Sequence, residues 1–216
     1  MANNFFNAIR INLSSDSTLP TIVYEVPTTK KAIVIELDVA NKSTAGVTVT
    51  VQIEDESQNT FSGTTRTIQG VNNNGTLTTN SAHGLIVNDR VKFHSMGTAP
   101  SFTNASLPPS GDTAVSATRM YYIQSASGTS FTIAESKSAS AALTFDGNGA
   151  SVLFTKVHLA DIVRDAPIPV GGSLKVISGQ KLVLESINAN VQDKLYAYAS
   201  GTNSVDAVAS VLQEVS

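Results

Sequence analysis

Apolar and polar side chains alternate along the first part of the chain: Ile9, Ile11 and Leu13 around Arg10 and Asn12, then Ile22, Tyr24 and Val26. Ile33, Ile35, Leu37 and Val39 follow, with Val34, Glu36 and Asp38 on the opposite face. A period of two is that of a β-strand, whose successive side chains point to opposite faces. Ser14 to Ser17, Pro27 (which has no amide to donate) and Asn41 to Gly46 separate the runs as turns. Val47, Val49, Val51 and Ile53 then alternate with Thr48, Thr50, Gln52 and Glu54, which predicts a hairpin with one apolar and one wet face. Burying each such Val or Ile is worth about 1.5–3 kcal/mol, so these strands alone define a strong sheet face.

Comparable runs return after Val157: Leu174 to Ile177, Lys181 to Glu185, Lys194 to Tyr198 and Val205 to Val211. Pro167, Pro169, Gly171-Gly172-Ser173, Ser178-Gly179 and Gly201-Thr202-Asn203 read as the turns between them. Short strands at this spacing predict a sandwich rather than an α/β layer. Residues 159–165 fit neither a period of two nor one of 3.6, and one helical turn is expected there.

Between the two halves the alternation stops near Arg66 and a stretch rich in Ser, Thr, Asn and Gly follows. At about ninety residues it is too long for a structureless loop in a compact domain. Its expected strands are Val91 to Phe93, Met120 to Ile123, Phe131 to Ile133, Leu143 to Phe145 and Val152 to Phe154. The stretch also holds five of the eight phenylalanines: Phe93, Phe102, Phe131, Phe145 and Phe154. Strands this short hide their edges best by closing a small barrel. Gly97 to Ala117 is expected to be a long mobile loop or the tip of the lobe. The fold expected is all-β: an Ig-like or jelly-roll-like sandwich from residues 1–66 and 157–216, interrupted by a small barrel at 67–156.

Composition narrows the chemistry. Charged residues make up 14% of the chain, the net charge is -3 and the 14 lysines and arginines are scattered, so no footprint for a nucleic-acid backbone exists. No cysteine is present, which excludes disulfides, thiolate metal sites and a cysteine nucleophile. Met1 to Asn7 has neither the basic head nor the apolar run of a secretion signal, and no run approaches the roughly 20 apolar residues of a membrane helix.

Candidate chemical groups are few. His83 and His94 flank Asp89, but the spacing matches no known ligand signature, and His83-Gly84-Leu85 reads as a turn before a strand. His158 has no evident partner. Asp161 and Asp165 lie around Arg164 as a surface cluster, without the apolar pocket that acid–base work requires. No Gly-x-Ser-x-Gly elbow occurs, and Gly171-Gly172-Ser173 lacks the lysine and strand-to-helix context of a phosphate loop. Neighbouring Tyr121 and Tyr122 must face opposite ways, whereas Tyr196 and Tyr198 share a face and are candidates for a sugar platform, with core packing or a subunit contact as the equal alternative. No cofactor or metal is expected.

His83-Gly84-Leu85, Asp89-Arg90-Val91-Lys92-Phe93, Met120-Tyr121-Tyr122-Ile123 and Thr129-Ser130-Phe131-Thr132-Ile133 stand in the order His-Gly-Leu turn, Asp-Arg-Val-x-Phe strand, Tyr-Tyr strand and Phe-x-hydrophobic strand. In this the insert resembles a small β-barrel module of tailed-phage virion proteins, with Asn88 where that module carries glycine. The outer halves, through Val39 to Thr44, Val47 to Val51, Arg164 to Leu174 and Lys181 to Glu185, resemble a β-sandwich module of structural proteins of marine phages, those of cyanobacteria in particular. The resemblance implies a non-enzymatic component of a tailed-phage virion, folded in the host cytoplasm and then built into the particle. Capsid decoration is the leading expectation, a neck, collar or tail-adaptor role the second, and a host-glycan adhesin acting through the insert the third. The implied partners are other virion proteins and further copies of the same chain, with a host surface glycan for the adhesin; no nucleic acid and no membrane is expected. Candidate contacts are the arm around Phe5 and Phe6, the C-terminal strand, Tyr196 and Tyr198.

Overall fold

The computed structural model describes residues 3–59, 67–94, 96–103, 112–147, 149, 152–188 and 191–214. The expected break at Arg66 and residues 104–111 of the expected long loop lie outside them. The chain divides into two compact units, Met1–Gln58 with His158–Ser216, and Asn59–Val157. The first four strands are β1 (Asn3–Arg10), β2 (Thr21–Glu25), β3 (Lys31–Asn41) and β4 (Val47–Glu54), followed by one turn of 3-10 helix at Glu56–Gln58. The second unit contributes β5 (Thr67–Val71), β6 (Leu77–Thr79), β7 (Arg90–His94), β8 (Met120–Ser127), β9 (Ser130–Ala134) and β10 (Val152–Val157). The chain returns to the first unit with β11 (Leu159–Ile168), β12 (Ser173–Ile177), β13 (Leu182–Asn188), β14 (Val191–Gln192), β15 (Lys194–Ala199) and β16 (Val205–Glu214). Among the described residues no helix is long and apolar enough to cross a membrane.

The first unit is an antiparallel sandwich. One sheet runs β1-β16-β3-β13-β14 with β12 also paired to β3, and the other runs β11-β4-β15-β2. Val34, Leu37 and Val39 of β3, with Val205, Ala207, Ala209 and Val211 of β16, meet Val49 and Val51 of β4 and Leu195 and Ala197 of β15 in one core. Leu13, expected at the end of the first strand, lies beyond β1 and is buried in that core.

Two phase errors in the sequence pattern have a single cause. In β3 the core side chains are Ala32 and Val34, then Leu37 and Val39, so Ile33 and Ile35 do not share the face of Leu37 as expected. The register with β16 slips between Ser210 and Val211, where Ser210 opposes Glu36 and Val211 opposes Val34. An extra residue in one strand reverses the facing of everything beyond it. Likewise, residues 159–165 are not a helical turn but part of β11, whose register against β4 slips twice, between Asp161 and Val163 and between Val163 and Ala166. Thr50 holds the second slip: its hydroxyl accepts the Asp165 amide at 3.1 Å, with Asp165 at a φ of 48°. Pro167, expected in a turn, sits in β11, which as an edge strand has no outer partner to require an amide.

The second unit is a closed barrel in the order β10-β5-β6-β9-β8-β7, with β10 paired to both β5 and β7. Closure leaves no free sheet edge. Phe93, Tyr121, Phe131 and Phe154 fill it with ring centroids 5.0–6.3 Å apart. Leu143 to Phe145 is not a strand: Phe145 makes a single bridge with Phe102 and stacks on its ring at 5.7 Å. The β5–β6 turn depends on Gly75, at a φ of +86°, because a side-chain carbon there would lie 2.2 Å from the Leu143 carbonyl oxygen.

Candidate interaction surface

The N-terminal segment is a strand and not an arm. β1 pairs along its whole length with β16, Asn3 opposite Glu214 through Arg10 opposite Ala207. The C-terminal strand is therefore interior, flanked by β1 and β3, and neither of its edges is open. What the pairing leaves at the margin of the sheet is the outer edge of β1. Alternation sends Phe6 and Ala8 inward, Phe6 lying 6.0 Å from the Tyr24 ring, and turns Phe5, Asn7, Ile9 and Ile11 outward. Phe5 is 60% exposed, Ile9 56% and Ile11 68%.

Register extends this edge into a surface. Phe5 opposes Leu212, Leu212 opposes Ile33 and Ile33 opposes Val183, a row of apolar side chains across four strands on the outer face of the sheet. Ile9 begins a second row with Val208. Ile9, Leu212, Ile33 and Val183 were not legible as surface residues because their strands also carry core positions; the alternation Phe5, Asn7, Ile9, Ile11 was the available signal.

On the outer face of the other sheet Thr50, Gln52 and Glu54 of β4, expected to be wet, are buried. Tyr196 is only 4% exposed and its phenol donates a 2.8 Å hydrogen bond to the fully buried Glu54 carboxylate, so it offers no exposed platform. Tyr198, on the same face, is partly exposed. Burial raises the Tyr196 phenol far above its ordinary value, and Glu54 adds to the effect. Beside it the Lys194 ammonium lies 2.8 Å from Glu56 and 3.4 Å from Glu25. Burial acts to lower this ammonium, but the surrounding carboxylates outweigh it and the net shift is upward. Asp193 is raised by burial even though its oxygens accept the amides of Glu185 and Glu56. These groups are mutually satisfied and tie β2, β4, β15 and the 3-10 turn together.

The histidines and aspartates hold structure. His83 is buried, with Nδ1 accepting the Leu85 amide and Nε2 3.0 Å from the Ser130 carbonyl, which fixes the Nε2-protonated tautomer, and its ring meets Phe131 edge-on. Asp89 accepts the Ile86 amide and pairs with Lys156 at 2.8 Å, while His94 bonds Thr155 at 2.7 Å. The carbonyl of His158 accepts the Asp55 amide. Asp161 accepts from Gln52 at 2.6 Å and pairs with Arg164, and Asp165 serves the β11 slip. Gly171 and Gly172 lie in the β11–β12 turn and Ser173 opens β12, the Gly172 amide donating to the Pro169 carbonyl at 2.9 Å. Among the described residues no group of three His, Cys, Asp or Glu side chains is placed to hold a metal ion.

In the barrel Tyr121 is fully buried and Tyr122 lies under the Arg90 guanidinium, 4.5 Å from its ring centre. A cleft of about 260 Å³ is lined by Glu135, Ser136, Ser138, Ser140 and Leu143 and has no aromatic wall on which a sugar could stack. Comparison with protein-family models, with curated proteins and with solved structures finds no match to this chain.

Proposed function

We propose that the chain is a non-enzymatic structural component of a tailed-phage virion, a surface decoration protein of the capsid that acts in multiple copies. The observation that carries the reading is the β1 edge, where the strand presents Phe5 and Ile9 to solvent with the exposed Ile11 just beyond its end. Such an edge binds by strand addition, main chain giving affinity and alternate side chains specificity. The chemistry-bearing residues described above are engaged in turns, strand slips and ion pairs, which suits a building block better than a catalyst. The motif resemblances of both units supply the virion context.

A neck, collar or tail-adaptor ring would use the same contacts, and copy number separates the two: decoration requires hundreds of copies per particle, a ring on the order of six to twelve. Quantitative mass spectrometry and immunogold labelling of purified particles test the proposal. Hundreds of copies on the shell are expected; absence of the chain from particles overturns it.

A further inference from the structure

Among the described residues the sheet edges of the sandwich are protected in different ways, and that of β1 is guarded only at its end, where Arg10 donates to the Ile9 carbonyl at 3.0 Å. An exposed edge strand invites unwanted pairing and is ordinarily blunted by bulges, proline, charge or shortness. β11 carries two slips, Pro167 and the Asp161–Arg164 pair. β14 is two residues long. β12 is slipped between Lys175 and Ile177, and its Lys175 is held by Glu36. β2 is covered in part by Arg10, whose Nε donates at 2.7 Å to the Ile22 carbonyl. β1 is eight residues long, pairs without a slip along its whole inner side, and has no proline and no charge before Arg10.

We propose that this edge is built for a second copy of the same chain: β1 pairs antiparallel with β1 of the partner about a two-fold axis through Asn7, joining the two six-stranded sheets into one. The inference deepens the reading of a multi-copy structural protein and rests on it only for the premise that copies meet. Self-complementarity selects the register. Outward side chains must oppose outward ones, so only registers in which paired residue numbers add to an even total are allowed. Centring on Asn7 sets Phe5 against Ile9 of the partner twice, and Phe6 against Ala8 of the partner on the core side. Arg10 then opposes the neutral Asn4, so no like charges meet across the junction. Centring on Phe6 sets both Phe5 and its mate against Asn7, and centring on Ala8 drives Phe6 onto Arg10.

The chosen register also completes the surface pattern. The row Val183, Ile33, Leu212, Phe5 ends at the edge of one copy and is continued by Ile9 and Val208 of the other. The symmetry is isologous: the same patch serves both copies and the contact closes as a dimer.

Cysteine trapping reads the register directly, because the natural chain has no cysteine. Asn7→Cys places two thiols on the axis, where facing Cα atoms stand about 4.5–5.5 Å apart, within disulfide reach. Phe5→Cys places them four residues apart along the strand, about 14 Å, beyond reach. The expected results are a dimer of the wild-type chain by light scattering in a dilution series and a disulfide-linked dimer from N7C but not F5C under mild oxidation. Phe5→Glu or Ile9→Lys alone should weaken dimerisation roughly tenfold or more. The double variant, which creates two Glu–Lys pairs across the axis, should recover it in a salt-sensitive way. A monomeric wild-type chain overturns the proposal and leaves the edge for a strand of another protein. A dimer that F5C and not N7C traps, or that neither single charge variant weakens, overturns the register. Absence of the chain from virions would remove the particle assignment and leave the dimer standing.

Discussion

Tyr196 and Glu54 form a diagonal cross-strand pair on the outer face of the four-stranded sheet: Tyr196 opposes Gln52 and Lys194 opposes Glu54, and the phenol crosses the diagonal to the carboxylate at 2.8 Å. Such diagonals are within reach of long side chains. Tyr196→Phe keeps the ring and removes a donor from a carboxylate that is fully buried. The expected loss is about 1–3 kcal/mol, the penalty for an under-satisfied buried acceptor, read from the urea midpoint at constant slope. Glu54→Gln retains an oxygen to accept the phenol and should cost less than Tyr196→Phe.

The insertion point is a hairpin position. Glu54 at the end of β4 opposes Leu159 at the start of β11, and the Asp55 amide bonds the His158 carbonyl at 3.3 Å. The chain leaves and re-enters the sandwich at adjacent antiparallel strands, where a short turn suffices. Replacing residues 59–157 with a short Gly/Ser linker should leave a folded sandwich with a cooperative melting transition. A remnant with no cooperative transition would mean that the two units depend on each other's core.

How much of this was readable follows from where the period of two survives. β4, β15 and β16 alternate without interruption on their core sides, and those strands were legible, but the face of β4 expected to be wet is buried at Thr50, Gln52 and Glu54. β11 was not, because two inserted residues break its period while leaving its hydrogen-bonded neighbour β4 intact. β5 and β6, Thr67–Val71 and Leu77–Thr79, contain too few apolar residues to stand out, and barrel closure rather than local propensity makes them strands. For Tyr196 the sequence left platform and core packing open, and its burial against Glu54 is settled only by strand order, which brings Glu54, Lys194 and Glu56 around it. Phe5 was named from the sequence only as a candidate contact; that it is exposed on a strand edge depends on the partner β16, about two hundred residues away.

The barrel core is aromatic and should be sensitive to one deletion. Phe131 is 1% exposed, with its ring 5.0 Å from Phe154 and 5.2 Å from His83. Phe131→Ala should cost about 3–5 kcal/mol by lost transfer and cavity formation. Limited proteolysis should then cut first within residues 67–157, and fragments of the sandwich halves should persist longer than barrel fragments. Simultaneous loss of both would argue that the units unfold as one.

At the alkaline end, burial raises Tyr24 and Tyr121 from 10.0 to about 12. A folded-state value above the unfolded one contributes stability fully present below pH 10 and lost as the pH rises toward about 12. The melting temperature should fall over that window. Tyrosinate absorbance should lag the titration of an equimolar mixture of free tyrosine and rise together with unfolding. Ionisation of all five tyrosines near pH 10 with the fold intact would contradict the burial of these rings.

At the acid end, His94 is the group to watch. Burial holds its imidazolium below the ordinary value of 6.5, and its Nε2 lies 2.7 Å from the Thr155 hydroxyl. Because the folded value lies below the unfolded one, the unfolded chain binds the proton more tightly. His94 therefore leaves stability intact above pH 6.5 and erodes it as the pH falls through the folded value. The barrel transition should shift to lower temperature below that pH. His94→Gln, which can still bond Thr155 but does not titrate, should flatten the slope between neutral and mildly acidic pH while the carboxylate-dependent loss at lower pH remains. An unchanged slope in H94Q would exclude His94 as its source.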